Sequence, residues 1–137
     1  MWNQKEIVLK PRNRGIHLVT NEILRELPPL PSIGLLNLFI KHTSAALSVN
    51  ENADPDVRID MEYIIDRLVP DIDPNYIHTD EGPDDASSHT KTSIIGPSLT
   101  IPITRGRLNL GIWQGIYLLE FCEYMLARHI IATISGE

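Results

Sequence analysis

The chain has 137 residues, 42% of them hydrophobic, and carries a formal charge of -6. That length suits one domain spanning 1–137, large enough to bury about two thirds of its unfolded surface. The acidic balance with scattered Lys and Arg argues against a nucleic-acid groove, which needs a basic stripe; no apolar run reaches the roughly 20 residues of a membrane span, and the opening residues show no secretory signal, so a cytoplasmic location is expected.

Residues 2–9 set Trp2, Ile7 and Leu9 among polar neighbours and end at Lys10-Pro11, the pattern of an edge strand. Arg12 to Gly15 reads as a turn, and 16–19 as a short return strand with His17 on its solvent face. Thr20 is a good N-cap for a short helix over 21–27, which Pro28, Pro29 and Pro31 end. Leu35 to Ile40 is apolar almost throughout, predicting a central strand buried on both faces. Asp54, Pro55 and Asp56 form a strong helix start. Val57, Met61, Ile64, Ile65 and Leu68 then share one face, so 55–68 is predicted as an amphipathic helix with Asp56, Asp60, Glu62 and Asp66 in solvent.

Residues 78–89 hold two histidines, four carboxylates and two adjacent serines around Gly82-Pro83, with no apolar period, and read as a loop. One or two helical turns are expected within 87–95, stopped by Gly96-Pro97. Residues 98–103 alternate with period two, 104–107 form a hairpin turn and 108–111 return. A strand over 113–121 pairing with 127–134 would complete an antiparallel meander. Cys122, the single cysteine, excludes an intramolecular disulfide, and with no histidine or cationic neighbourhood around it in sequence it is read as structural. Gly111 and Gly115 flank Trp113-Gln114 and imply close backbone approach or a bulge. Trp113 is expected in the core or at a subunit interface, with Gln114 at the mouth of a site.

Three readings of the chemistry follow from residue types. His42, His78 and His89 end predicted apolar elements, and three neutral imidazoles with an open position would suit zinc. Alternatively, Glu51, Asp80, Glu81, Asp84 and Asp85 supply oxygens for magnesium or calcium, without the ordered spacing of a calcium hand. Serine catalysis through Ser44, Ser87 or Ser88 is the third, weakened by the lack of a Gly-x-Ser-x-Gly turn.

Three segments together carry a resemblance: His42-Thr43-Ser44-Ala45-Ala46 with Asn50 to Val57; His78 to His89 with Glu81-Gly82-Pro83-Asp84-Asp85; and Gly96-Pro97-Ser98 with Gly111-Ile112-Trp113-Gln114-Gly115. Over almost its whole length the chain resembles the YjbQ family, often labelled secondary thiamine-phosphate synthase. The resemblance implies an α+β fold, an antiparallel β-sandwich with helices packed to one side, assembled as a homotrimer. It implies a divalent metal on His42, His78 and His89, zinc favoured and magnesium possible. Glu51, Asp80 and Lys91 become catalytic candidates, and Asn50, Asp54, Glu81, Ser88 and Gln114 candidates for holding a small anionic or phosphorylated metabolite. The label implies joining a hydroxymethylpyrimidine pyrophosphate to a thiazole phosphate with loss of pyrophosphate, a leaving group that a divalent cation would neutralise. Thr43-Ser44 stands where paired threonines are common, and Ala86-Ser87-Ser88 replaces a Met-Pro-Ala-like run. Two rivals stand beside this reading: a non-catalytic binding module for an anionic metabolite, and a metal-dependent hydrolase of a phosphate or ester.

Overall fold

A computed structural model describes residues 1–137. In chain order its elements are β1 (Trp2–Leu9), β2 (Gly15–Leu18), α1 (Thr20–Glu26), β3 (Ile33–Ile40), β4 (Ala45–Glu51), α2 (Pro55–Leu68), α3 (Asp85–Ile95), β5 (Ser98–Thr104), β6 (Arg107–Leu108), β7 (Gln114–Glu120) and β8 (Arg128–Gly136). The strands form two antiparallel sheets, one ordered β1-β8-β3-β5-β6 and the other β2-β7-β4. The fold is α+β, a sandwich of these sheets, as expected, and no helix is long and apolar enough to cross a membrane.

Period-two alternation fills the space between the sheets. Leu36, Leu38, Ile40, Ile130 and Ile134 point inward from the larger sheet and meet Leu47, Ile116 and Leu118 from the smaller one, with Ile23 of α1 sealing one end. Full burial of each such Leu or Ile contributes roughly 1.5–3 kcal/mol. The other face of the three-stranded sheet exposes Ile16, Ala46, Tyr117, Leu119 and Phe121, and these are covered by Met61 and Ile65 of α2 and Ile95 of α3. α2 and α3 therefore cover the smaller sheet only.

That one-sided cover corrects several expectations. β3 is central in its sheet but not buried on both faces: Leu35 and Phe39 are 50% and 45% exposed, because no layer covers the outer side. The strand buried on both faces is β7, whose residues from Gly115 to Glu120 are all buried between core and helices. No C-terminal meander forms, since β8 leaves β7 for the other sheet and inserts between β1 and β3, where its alternating Ile130, Ala132 and Ile134 fit the core. Likewise β2 returns to β7, not to β1. β6 keeps only two residues after a turn in which Arg105 and Gly106 both have positive φ, 53 and 75 degrees, the twist-matched hairpin geometry.

The helices differ in their legibility. α2 starts where the sequence predicts, with Asp54 accepting from the Asp56 amide at 2.9 Å. Its apolar face is narrower than predicted, because it lies on the edge strand β2 and only the Met61 and Ile65 ridge is covered, leaving Ile64 and Leu68 exposed. Thr20 does not cap α1; its hydroxyl accepts from the Ile116 amide at 2.9 Å. α3 begins at Asp85, inside the stretch predicted as loop. Its buried residues are Ser87, Ser88, Lys91 and Thr92, helical in spacing but polar, so no hydrophobic period announced them.

Candidate functional site

Polar partners replace apolar ones beneath α3. Lys91 is buried with its Nζ 2.5 Å from Asp66 and over the Phe121 ring, while Ser87 donates to Asp71 at 2.6 Å. Arg14 donates to both Asp71 and Asp66, at 2.6 and 3.1 Å. Burial would raise the Asp71 carboxyl, but hydrogen bonds from Arg14 and Ser87 outweigh it and hold that carboxyl below its ordinary range. Asp84 is buried and accepts from the Glu123 amide at 3.1 Å, fixing the start of α3 to the segment after β7. This packing sets the helix register.

The register brings one pair of histidines together. Asp85 and His89 lie one turn apart on α3, and the preceding loop delivers His78 and Glu81 to the same point. The ligand-type atoms of His78, Glu81, Asp85 and His89 all lie within 4.8 Å of one another. His78 Nε2 hydrogen-bonds Asp85 Oδ2 and sits 3.6 Å from Glu81 Oε2, while His89 Nε2 is 3.0 Å from the same Asp85 oxygen. His89 Nδ1 is 2.8 Å from the Thr43 carbonyl, which can only accept, so the proton resides on Nδ1. A neutral His89 then presents its Nε2 lone pair to the cluster. His78 can donate to Asp85 as the neutral Nε2–H tautomer, whereas the His89 Nε2 lone pair facing the same oxygen requires either a second proton on that ring or a cation between them. The hydrogen bond to Asp85 raises the His78 pKa. Burial would raise the Asp85 carboxyl, but the hydrogen bond from His78 and the charge of the nearby imidazoles outweigh it and hold it below the ordinary carboxylate range.

The other candidates are elsewhere. His42 does not join this cluster: its Nε2 accepts from the His129 amide at 2.8 Å, and burial, then Arg128, depress its pKa so that the ring stays a neutral acceptor. Lys91 and Ser88 are buried beneath α3, Lys91 on Asp66 and Ser88 donating to the Asp85 carbonyl at 2.7 Å. Asp80 is exposed and outside the cluster. Asn50, Glu51, Asp54 and Gln114 lie at the far end of the β4–β7 ladder, which runs from Ala45 opposite Glu120 to Glu51 opposite Gln114. Six residue steps of strand separate the two ends by roughly 20 Å. There Asn50 accepts from the Glu51 amide at 2.8 Å, Glu51 from the Asp54 amide at 3.4 Å, and Gln114 from the Gly111 amide at 2.7 Å. Gly115 meets the expectation of close approach, since a Cβ there would lie 2.8 Å from Leu18 and 3.0 Å from Asn52. Trp113 is 63% exposed and is not a core residue. Cys122 is buried, and burial pushes its thiol up, as expected of a structural cysteine.

The residue that sequence reasoning undervalued is Asp85, weighed there only as an oxygen donor among other acids. Its signal was the four-residue spacing to His89, which has meaning only on a helix.

A model of the UPF0047 YjbQ-like protein family matches residues 5–137. YjbQ of Escherichia coli is 51% identical over the full length of both chains. A hypothetical protein from Aeropyrum pernix superposes with a TM-score of 0.83 at 31% identity, covering 98% of this chain and 99% of that one. A YbjQ-like protein from Sulfolobus solfataricus shares the fold with a TM-score of 0.86 at 22% identity, covering 100% and 99%.

Proposed function

The chain belongs to the UPF0047 YjbQ-like family, and from that premise we propose that it is a divalent-metal protein, zinc favoured, whose ligands are His78, Glu81, Asp85 and His89. The single observation that carries this reading is the convergence of two imidazole nitrogens on one Asp85 oxygen, with His89 held in the required tautomer by a backbone carbonyl. A carbonyl behind a ligating histidine is the usual outer support of a metal site. The donor set fits: tetrahedral zinc at ligand distances of about 2.0–2.2 Å sets its ligand atoms roughly 3.3 Å apart. The contacts from His89 to Asp85 and from His78 to Glu81, 3.0 and 3.6 Å, bracket that value, while His78 and Asp85, in direct contact, would have to separate to admit an ion.

The proposed activity is weak thiamine-phosphate synthase chemistry, in which the thiazole nitrogen attacks the pyrimidine methylene as the carbon–oxygen bond to pyrophosphate breaks. A bound divalent ion would supply charge neutralisation of the departing pyrophosphate. Glu81 is the most exposed member of the cluster, and its flexible side chain can yield a position to substrate oxygen. Asp85, tied to both histidines, orients the rings. Lys91 is buried beneath α3, paired to Asp66, and in this reading supports the helix and does not act on substrate.

Three copies of the chain are proposed to assemble around these sites. A cyclic trimer needs two unlike patches on each copy. Ile33, Leu35 and Phe39 on the bare sheet face, and Ile59, Tyr63 and Leu68 on α2, are exposed apolar groups that suit that requirement. Sedimentation equilibrium should give about three times the 15.5 kDa chain mass; a monomer would count against it.

Elemental analysis after reconstitution tests the metal. Near-stoichiometric zinc in wild type and in His42→Ala, with background levels in His89→Ala, is expected. Metal retained in His89→Ala would reject the ligand set. Thiamine phosphate formed from both precursors by wild type, and lost in His89→Ala, tests the activity.

A further inference from the structure

We infer that the cleft formed by Lys10, Arg12 and α1 against Asn52 and Gln114 is a binding site for a small phosphate-bearing anion. The cleft has a volume of about 580 Å³, within the usual range of small-ligand sites, and its lining is mostly polar. Its charged walls are Lys10, Arg12 and Arg25 against the single acid Glu22, a local cationic excess on a chain whose net charge is -6.

The hydrogen bonds within it are unevenly distributed. Glu22 is fully engaged, accepting from Arg12 Nη2 at 2.5 Å and from the Lys10 amide at 2.9 Å. Burial would raise its carboxyl, but the Arg12 hydrogen bond and the Lys10 amide outweigh it and keep Glu22 ionised. Glu22 thus neutralises and orients Arg12. The Lys10 ammonium and the Arg25 guanidinium have no carboxylate within 4.0 Å and no hydrogen-bond acceptor. Both line the same cavity.

Neutral donors share that cavity. The Thr20 hydroxyl accepts from the Ile116 amide, which leaves its own hydrogen free to donate. Gln114 uses its oxygen on the Gly111 amide, so its amide nitrogen remains for a ligand. Asn52 donates to the carbonyls of Ile112 and Gln114 at 3.3 and 3.0 Å, which makes it a brace for the wall. Gly115 permits this closeness, because a Cβ would press on Leu18, Asn52 and Thr20.

A fork from Arg25, a point charge from Lys10 and amide and hydroxyl donors suit a group with several anionic oxygens. Phosphate offers more acceptors in a compact volume than a single carboxylate, and so uses more of this set. The site stands apart from the proposed metal centre, since the cleft and the histidine cluster lie at opposite ends of the β4–β7 ladder.

The test is a titration of inorganic pyrophosphate into the chelator-treated full chain, followed by calorimetry and by side-chain amide resonances. Saturable binding is expected, with the resonances of Asn21, Asn52 and Gln114 moving. Arg25→Gln and Lys10→Gln should each weaken it about tenfold or more, the effect of one charge-assisted hydrogen bond. Both side chains are exposed and unpaired, so thermal unfolding should leave the variants equal to wild type. Citrate of similar charge should bind more weakly. Absent saturation, affinity unchanged in both variants, tighter citrate binding, or shifts centred on His78 and His89 would each overturn the assignment.

Discussion

The two ends of the β4–β7 ladder hold similar residue types and use them differently. At the Glu51–Gln114 end, Asn50, Glu51, Asn52, Asp54 and Gln114 all close hydrogen bonds with backbone groups of adjoining turns. At the Ala45–Glu120 end, side chains pair with side chains: His78 and His89 with Asp85, Arg128 with Glu120, Lys91 with Asp66. A polar group spent on a backbone amide braces a turn, and the buried Arg128–Glu120 and Lys91–Asp66 pairs brace the packing, whereas the partly exposed imidazoles beside Asp85 remain open to a proton or a cation. That difference supports placing the proposed metal at the histidine end.

The largest expected effect comes from the buried pair. Glu120 and Arg128 are each about 1% exposed, and Arg128 also reaches Ser44, so one pair joins the end of β7 to the start of β8 and to the turn before β4. Arg128→Ala should cost about 3–5 kcal/mol by leaving Glu120 buried and uncompensated. Urea unfolding measures it; a loss under about 1 kcal/mol would mean that water reaches the pair.

Next in size is the metal-free cluster's response to pH. The His78 pKa is raised by its hydrogen bond to Asp85, so the stability it contributes is complete below the ordinary imidazole range and is lost as pH rises through its raised value. Asp85 is lowered, so its contribution is present above the ordinary carboxylate range and lost as pH falls through its depressed value. The pair is strongest between those limits, and metal uptake should rise with pH as the His78 proton leaves. Proton NMR should place the His78 midpoint above that of Asp85→Asn; equal midpoints would break the proposed coupling.

The other end should respond mildly. Asp54→Ala removes the α2 cap and should cost about 1 kcal/mol in urea without changing metal content. Glu51→Gln keeps an oxygen for the Asp54 amide and should change stability by less than about 0.5 kcal/mol, again with metal retained. Loss of metal in either variant would erase the contrast between the two ends.

Much of the framework was legible in the sequence. The boundaries of β1 and α2 follow from Pro11 and from Asp54-Pro55, local signals that tertiary packing leaves intact. Strand partners were not legible, because β7 and β8 are adjacent in sequence yet their apolar residues serve opposite sheets. The candidate site was half legible. Residue type points to His78 and His89 as zinc ligands but sets His42 beside them, whereas the His42 ring is spent on the His129 amide, and it offers Glu81 and Asp85 only in the separate set of oxygen donors. α3 was hidden because the face it buries is polar, and with it the helical relation between Asp85 and His89.

The proposed metal sphere consists of two histidines and two carboxylates, without His42. Zinc-edge X-ray absorption of the reconstituted protein should count two imidazoles with oxygen completing the sphere, unchanged in His42→Ala. A sphere of three imidazoles that falls to two in His42→Ala, or a protein that takes up no zinc, would contradict it.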